Sequence, residues 1–463
     1  MFIAVVLLFL YFFILSFIIR ESIRKESIYP LLYIILFLPT YSFFQILIYD
    51  LSQNIFFVNL IKYSKDLSIL SIFFIYLFGR KTSVFKINWK ITRLDLLFIS
   101  FSALIFFFMA FPIGEANLLE KIIYGKNLLL ISLVYFLGRN INYSFLDLNF
   151  INKTLVVLTS LSCLIALIEF SFNTHLHSTI NYSSFYLDLY DINPTGNYGL
   201  SWTFERPGPI KRFGSFFADP LEFSSFLLIG LSIVLFKINS SKTSINRTYY
   251  FIFFVFIIIG IYISFSRSII ISVFLMFFIN LILIKKYRLL LSLFSIGLLI
   301  SVGTYYYSSE ETKYFILDTI TFQNSSSLGH LVKWIQGILS ITENPLGSGL
   351  GTSGNSLSVD DQISIGGENQ FIIIGVQMGL LGLINYIGLI YYSIINSYKL
   401  FNLEKDFQLK YLPFIVCCLK FALIFPMMTS NAEIYTFLSL FGWFLVGLNE
   451  RRYNNLKPNP VSN

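Results

Sequence analysis

Long apolar runs separated by short polar stretches set the pattern of this chain. They fall near 2–19, 29–49, 64–79, 96–113, 123–138, 155–172, 221–236, 249–266, 268–284, 289–307, 370–396, 411–428 and 434–448. An α-helix needs roughly 20 apolar residues to cross the hydrocarbon layer of a bilayer, and most of the runs approach that length. They lack the alternation of a transmembrane barrel strand. The pattern predicts an all-α polytopic membrane protein with about 12–13 transmembrane helices in a single integral domain over 1–463. The first run has no cationic segment before it and no small-residue cleavage site. It is therefore predicted as a retained span, not a signal peptide.

Two stretches interrupt the rhythm, 173–220 and 308–369. Connecting two spans takes only a few residues, so loops of this length are expected to carry function. Residues 449–463 read as a polar tail.

Charge decides the orientation. Only 13% of the residues are charged, about half the share of a soluble domain. The net charge of +8 suggests nucleic acid only until the cations are located. One set of alternate loops holds 22 of the lysines and arginines and the opposite set holds 10, with Lys420 inside a span. By the positive-inside rule the C-terminus is cytoplasmic, the N-terminus external and both long loops external. The basic balance is thus a topology signal, and the expected partner is membrane lipid, with no nucleic acid. Lys420 calls for a carboxylate partner, Glu433 or Glu169. Cys163, Cys417 and Cys418 all fall in spans and read as small apolar core residues.

The first long loop ends in KRFGSFFADPLEF, residues 211–223. Asp219-Pro220-Leu221-Glu222 is a helix-start signature: Asp at the N-cap, Pro at the first position, Glu at the third. Arg206, Lys211 and Arg212 approach this helix start, and Gly214 would let the backbone come close to a ligand. Cations beside helix N–H groups predict an anion site. Arg267, in Ser266-Arg267-Ser268, has hardly any loop around it and is expected to face the protein interior.

The second long loop places His330, Lys333, Trp334, Gly337 and Ile341 at helical spacing before Asn344-Pro345 stops the helix. Gly347, Gly349, Gly351 and Gly354 follow, in neither a Walker nor a Rossmann pattern. The loop is expected to be flexible or tightly turned. Glu368 and Asn369 open the next apolar run, where Gly375, Gly379 and Gly382 suit close helix contact. Glu368 could cap that helix. His175 and His177 share a face if extended, but a third metal ligand is not evident.

With these residues in view, the chain resembles the O-antigen polymerase (Wzy) and O-antigen ligase superfamily of bacterial surface-polysaccharide enzymes. The resemblance covers roughly 205–390. It rests on Arg212-x-Gly214-x-Phe216 before Pro220, on Ser266-Arg267, and on His330-x-x-x-Trp334 followed by Asn344-Pro345-Leu346-Gly347-x-Gly349 and a polar pair opening a glycine-spaced span. Many members carry Arg where this chain has His330, and ligases carry His-Asn where it has Glu368-Asn369. The second departure favours polymerase over ligase.

The resemblance implies a GT-C-like glycosyltransferase in the bacterial cytoplasmic membrane, metal-independent and without cofactor, active on the external face. Its substrates would be polyprenyl (undecaprenyl) pyrophosphate-linked oligosaccharides, polymerised into O-antigen, capsule or exopolysaccharide, with a flippase and a chain-length regulator as partners. Negative charge growing on the departing pyrophosphate needs fixed cations. Arg212 and Arg267 are the first choices because a guanidinium forks onto phosphate oxygens, with Arg206 and Lys211 next. Glu368 stands where the family's base would be and His330 is the fallback. Asn344, Asn369 and Trp334 would bind sugar, as would Tyr182, Tyr186, Tyr190 and Tyr198 unless they form an interfacial belt. Alternatives are ligase-type transfer of finished glycan to a lipid or protein acceptor, and a flippase or transporter for lipid-linked glycan.

Overall fold

The computed structural model describes every residue except 25–36, 79–89, 142–147, 195, 207–209, 241–243, 311–312, 315–316, 318–320, 322–324, 355–364 and 457–463. The first part of the predicted 29–49 span lies outside the described residues.

The described residues form α-helices and short 3-10 turns, with one isolated bridge between Glu205 and Lys211. In chain order the helices are α1 (Phe2–Arg24), α2 (Tyr41–Ser52), α3 (Ile55–Phe78), α4 (Arg93–Ala110), α5 (Leu118–Asn140), α6 (Leu148–Phe172), α7 (Tyr182–Tyr190), α8 (Pro220–Ser240), α9 (Ser244–Ser264), α10 (Arg267–Leu283), α11 (Tyr287–Tyr307), α12 (Ser325–Glu343), α13 (Gln370–Leu403), α14 (Tyr411–Thr429) and α15 (Thr436–Leu456). Eight of these are long and apolar enough to cross a membrane: α1, α4, α5, α6, α8, α9, α13 and α14. The all-α polytopic class therefore stands. The other predicted spans overlap α2, α3, α10, α11 and α15, α2 meeting only the end of the predicted 29–49 span.

Local sequence explains the helix starts. Thr92 and Asp95 close a capping box on α4, and Asn117 and Glu120 do the same on α5. The core is built from α8, α13, α14 and α15, whose side chains are largely buried. α15 crosses α5 with backbones touching: a Cβ on Gly138 would strike the Phe444 carbonyl, and one on Gly447 would strike that of Tyr135. Small residues permit this approach.

Each end of the bundle gathers one set of loops. At one end Arg139 pairs with Asp95 at 3.2 Å, Arg452 with Glu404 at 2.5 Å, and Arg451 donates to the Asn140 carbonyl. At the other end Lys211 donates to the Asn173 carbonyl at 2.5 Å and Asn181 to Asp50 at 2.6 Å. Among the described residues these contacts join groups that the sequence assigned to the same set of alternate loops. α15 runs on to Leu456, so the start of the 449–463 segment is helical, with Glu450, Arg451 and Arg452 bonded to Asn396, Asn140 and Glu404.

Lys420 is fully buried and pairs with Glu433 at 2.6 Å, over the face of Trp443 at 3.6 Å. The second Glu433 oxygen accepts from Ser439 and from the Trp443 indole, each at 2.9 Å. The partner is thus Glu433. Glu169 instead accepts the backbone N–H groups of Leu176 and Ser215, both at 2.7 Å, which ties the two ends of the first long loop together.

Candidate functional site

The site is assembled at the end of the bundle that carries both long loops. The helix-start signature holds: Asp219 accepts from the Glu222 amide at 2.7 Å, and Glu222 reaches back to the Ala218 amide at 2.9 Å. This closure leaves the Glu222 amide occupied by the Asp219 carboxylate, so the cations of the loop rather than that N–H remain to meet an anion. Gly214 sits against the same helix start. A Cβ there would lie 3.1 Å from the Asp219 carbonyl carbon and from the Pro220 nitrogen, so it lets the loop fold against its own helix start.

Arg212 leaves this loop and crosses to the turn between α9 and α10. Its guanidinium donates to the Phe265 carbonyl at 3.1 Å and the Thr203 carbonyl at 3.4 Å, and its Nε is buried without a hydrogen-bond partner. Among the described residues no carboxylate lies at salt-bridge distance from it. Burial pushes its pKa down, and the neighbouring Arg206 and Arg267 add to this, opposed by Asp219. Arg206 lies over the Phe265 ring at 5.7 Å. Arg267, two residues beyond Phe265, is exposed at the start of α10, which corrects the expectation of an interior-facing side chain: at the first residue of the helix it can reach out of the bundle. Three arginines from distant positions thus meet around one turn.

The second long loop meets them. Glu368 is half-buried, and burial pushes its carboxyl above the usual range; Asp219 adds to the rise while Lys333 and Arg212 oppose it. His330 is depressed by burial and by Lys333 and Arg267. Arg206, Arg212, Arg267 and Lys333 together set four cations against the three carboxyl groups Asp219, Glu222 and Glu368. A cluster with this surplus suits an anionic ligand. Among the described residues no group of three or more His, Cys, Asp or Glu side chains is arranged to hold a metal.

Other predicted residues have different places. Lys211 turns away from Arg212 and lies over the Tyr198 ring at 4.6 Å while bonding the Asn173 carbonyl. Asn369, not Glu368, caps α13, accepting from the amides of Phe371 and Ile372 at 3.1 and 3.3 Å. It is buried, and its capping role leaves Glu368 free of one. Asn344 shapes the turn after α12, its carbonyl accepting from Gly347 at 2.9 Å. Trp334 packs against Ile341, Ile372 and Val376, with its ring 6.4 Å from that of His330. His175 and His177 lie in a 3-10 turn, not a strand, packed among aromatic rings including Phe204. Tyr182, Tyr186 and Tyr190 line up on α7, where the rings of Tyr182 and Tyr186 lie tilted with centroids 4.5 Å apart.

The glycine-rich stretch is tightly turned. α13 breaks at Gly379, whose φ of 67° is left-handed. The amides of Ser348 and Gly349 donate to the carbonyls of Val376 and Gln377 at 2.8 and 3.0 Å, and Leu380 donates to Pro345 at 2.9 Å. The loop therefore satisfies the groups that the break exposes. Gly379 was expected at a close helix contact; it takes a backbone conformation that favours glycine, directly against Pro345 and Leu346.

Sequence reasoning missed Tyr435, whose hydroxyl donates to Asp219 at 3.4 Å. Next to it lies a cavity of about 180 Å³ lined by Lys65, Asn127, Gln370, Asn431, Glu433 and Thr436, among others. None of the predicted site residues lines it; Gln370 and Thr436 connect it to the cluster through their neighbours Asn369 and Tyr435. The polar stretch 430–433 between the last two apolar runs was the available signal. Comparison of the chain with family models and with curated proteins finds no match.

Proposed function

We propose that this chain is a membrane glycosyltransferase that polymerises polyprenyl-pyrophosphate-linked oligosaccharides. The observation that carries the reading is the Arg206–Arg212–Arg267 cluster beside a half-buried carboxyl, Glu368, whose proton affinity is raised. A hydroxyl of the acceptor sugar attacks the anomeric carbon of the donor. The bond from that carbon to the pyrophosphate oxygen breaks, and its electron pair leaves with the pyrophosphate. Arg212, already oriented by its bonds to the Phe265 and Thr203 carbonyls, stabilises that charge without reorganising. The acceptor proton passes to Glu368. A base whose pKa lies closer to working pH is the more effective catalyst. The cavity lined by Gln370 and Thr436 is the candidate place for an acceptor sugar in this reading.

Deletion of the gene followed by a gel of surface glycan tests the reading. Single repeat units left on the outer acceptor are expected. An acceptor without any glycan points to ligation instead, and an unchanged ladder overturns the proposal.

A further inference from the structure

The opposite end of the bundle carries a second feature that the catalytic reading does not use. The end of α8, the start of α9, the end of α10 and the start of α11 enclose an open groove of about 600 Å³. Its volume is that of a ligand pocket, typically about 300–1,000 Å³. Its walls are apolar and include Phe251, Phe254 and Phe277. Phe254 and Phe277 meet edge to face at 5.9 Å. Its rim carries Arg247 and Lys286, both exposed. An amide pair, Asn239 donating to Asn280 at 2.8 Å, bridges α8 and α10 in the groove. A second groove of about 370 Å³ shares Asn239 and Ile284 with the first and has Lys285 and Lys410 at its edge.

We infer that this groove binds an anionic membrane phospholipid. Three chemical layers run down it in the order of such a lipid. Cations stand at the ends of the apolar runs, the level at which a phosphate lies. The amide pair supplies hydrogen-bonding groups for ester carbonyls. The phenylalanine walls take an acyl chain. Basic pockets between membrane helices select acidic head groups in this way. A zwitterionic lipid would fill the apolar part but would leave the basic rim without a counter-charge. The rim also belongs to the end of the bundle whose loops hold most of the cations.

The full chain, purified in detergent, is titrated with phosphatidylglycerol and, separately, with phosphatidylcholine, and bound lipid is counted by native mass spectrometry. Saturable binding of phosphatidylglycerol is expected, with phosphatidylcholine much weaker. The double variant Arg247→Gln/Lys286→Gln should weaken phosphatidylglycerol binding about 30-fold, roughly fivefold for each basic side chain lost at a membrane surface. Lys399→Gln removes an exposed cation that lines neither groove and should leave binding unchanged. Phe277→Trp narrows the groove without touching the rim and should also weaken binding, which keeps the test informative if the double variant folds poorly. Inorganic phosphate should not displace the lipid. Equal binding of the two lipids, undiminished binding in both the double variant and Phe277→Trp, or displacement by inorganic phosphate would overturn the inference.

Discussion

The Arg212 guanidinium donates to the Phe265 carbonyl at 3.1 Å across 53 residues of sequence. This bond fixes the first long loop to the turn that starts α10 and brings Arg212 beside Arg267. Arg212→Lys keeps the charge and loses the fork that bonds Phe265 and Thr203 together. Polymer formation should fall by about 10²–10³, the usual effect of removing one preorganised donor from a site of developing negative charge. Glycan ladders from the substituted strain measure this. Normal polymer from Arg212→Ala would remove Arg212 from the mechanism.

Glu368→Gln should bind the lipid-linked donor normally and lose about 10²–10⁴ in turnover. The pH profile provides a second check. The pKa of Glu368 is raised, so its ionised, basic form appears only as pH rises through that raised value. The acid limb should therefore lie above the usual carboxylate range. Asp219→Asn retains an N-cap residue and removes a neighbouring like charge. It should move the acid limb to lower pH; an unmoved limb would dissociate Asp219 from Glu368.

Burial holds His175 down at about 4 and His177 at about 3. The unfolded chain binds protons at these positions from about pH 6.5 downward, while the folded loop does not. Stability of the 173–220 loop should therefore fall as pH drops from about 6.5 toward 4. Hydrogen exchange across 175–204 reads this out. His177→Phe should flatten the dependence, since Phe suits the aromatic cluster with Phe43, Tyr182 and Phe204.

The Lys420–Glu433 pair is the most buried ion pair described, with both side chains nearly inaccessible. Glu433→Gln leaves the ammonium without its counter-charge and should cost about 3–5 kcal/mol. Lys420→Met/Glu433→Gln should recover most of that loss. Thermal unfolding in detergent of the two single variants and the double variant gives the coupling. Independent, additive effects would contradict the pairing.

Sequence determined the helical class, the approximate spans, the two-ended division of loops and the start of α8. Each follows from local rules: apolar length, charge in alternate loops, and the Asp219-Pro220-Leu221-Glu222 cap. Local signals also marked Arg212, Arg267, Glu368 and His330. Tertiary structure decided which of them share a space. Lys211 and Arg212 are adjacent in sequence, yet one bonds Asn173 and the other bonds Phe265. Adjacent Glu368 and Asn369 likewise divide, Asn369 taking the amides of α13 and Glu368 facing the cations. No periodicity encodes such divisions, because they depend on which distant backbone groups arrive first within hydrogen-bonding distance. The break at Gly379 belongs to the same class: glycine makes it possible, but only the amides of Ser348 and Gly349, brought there by another segment, satisfy the carbonyls it exposes.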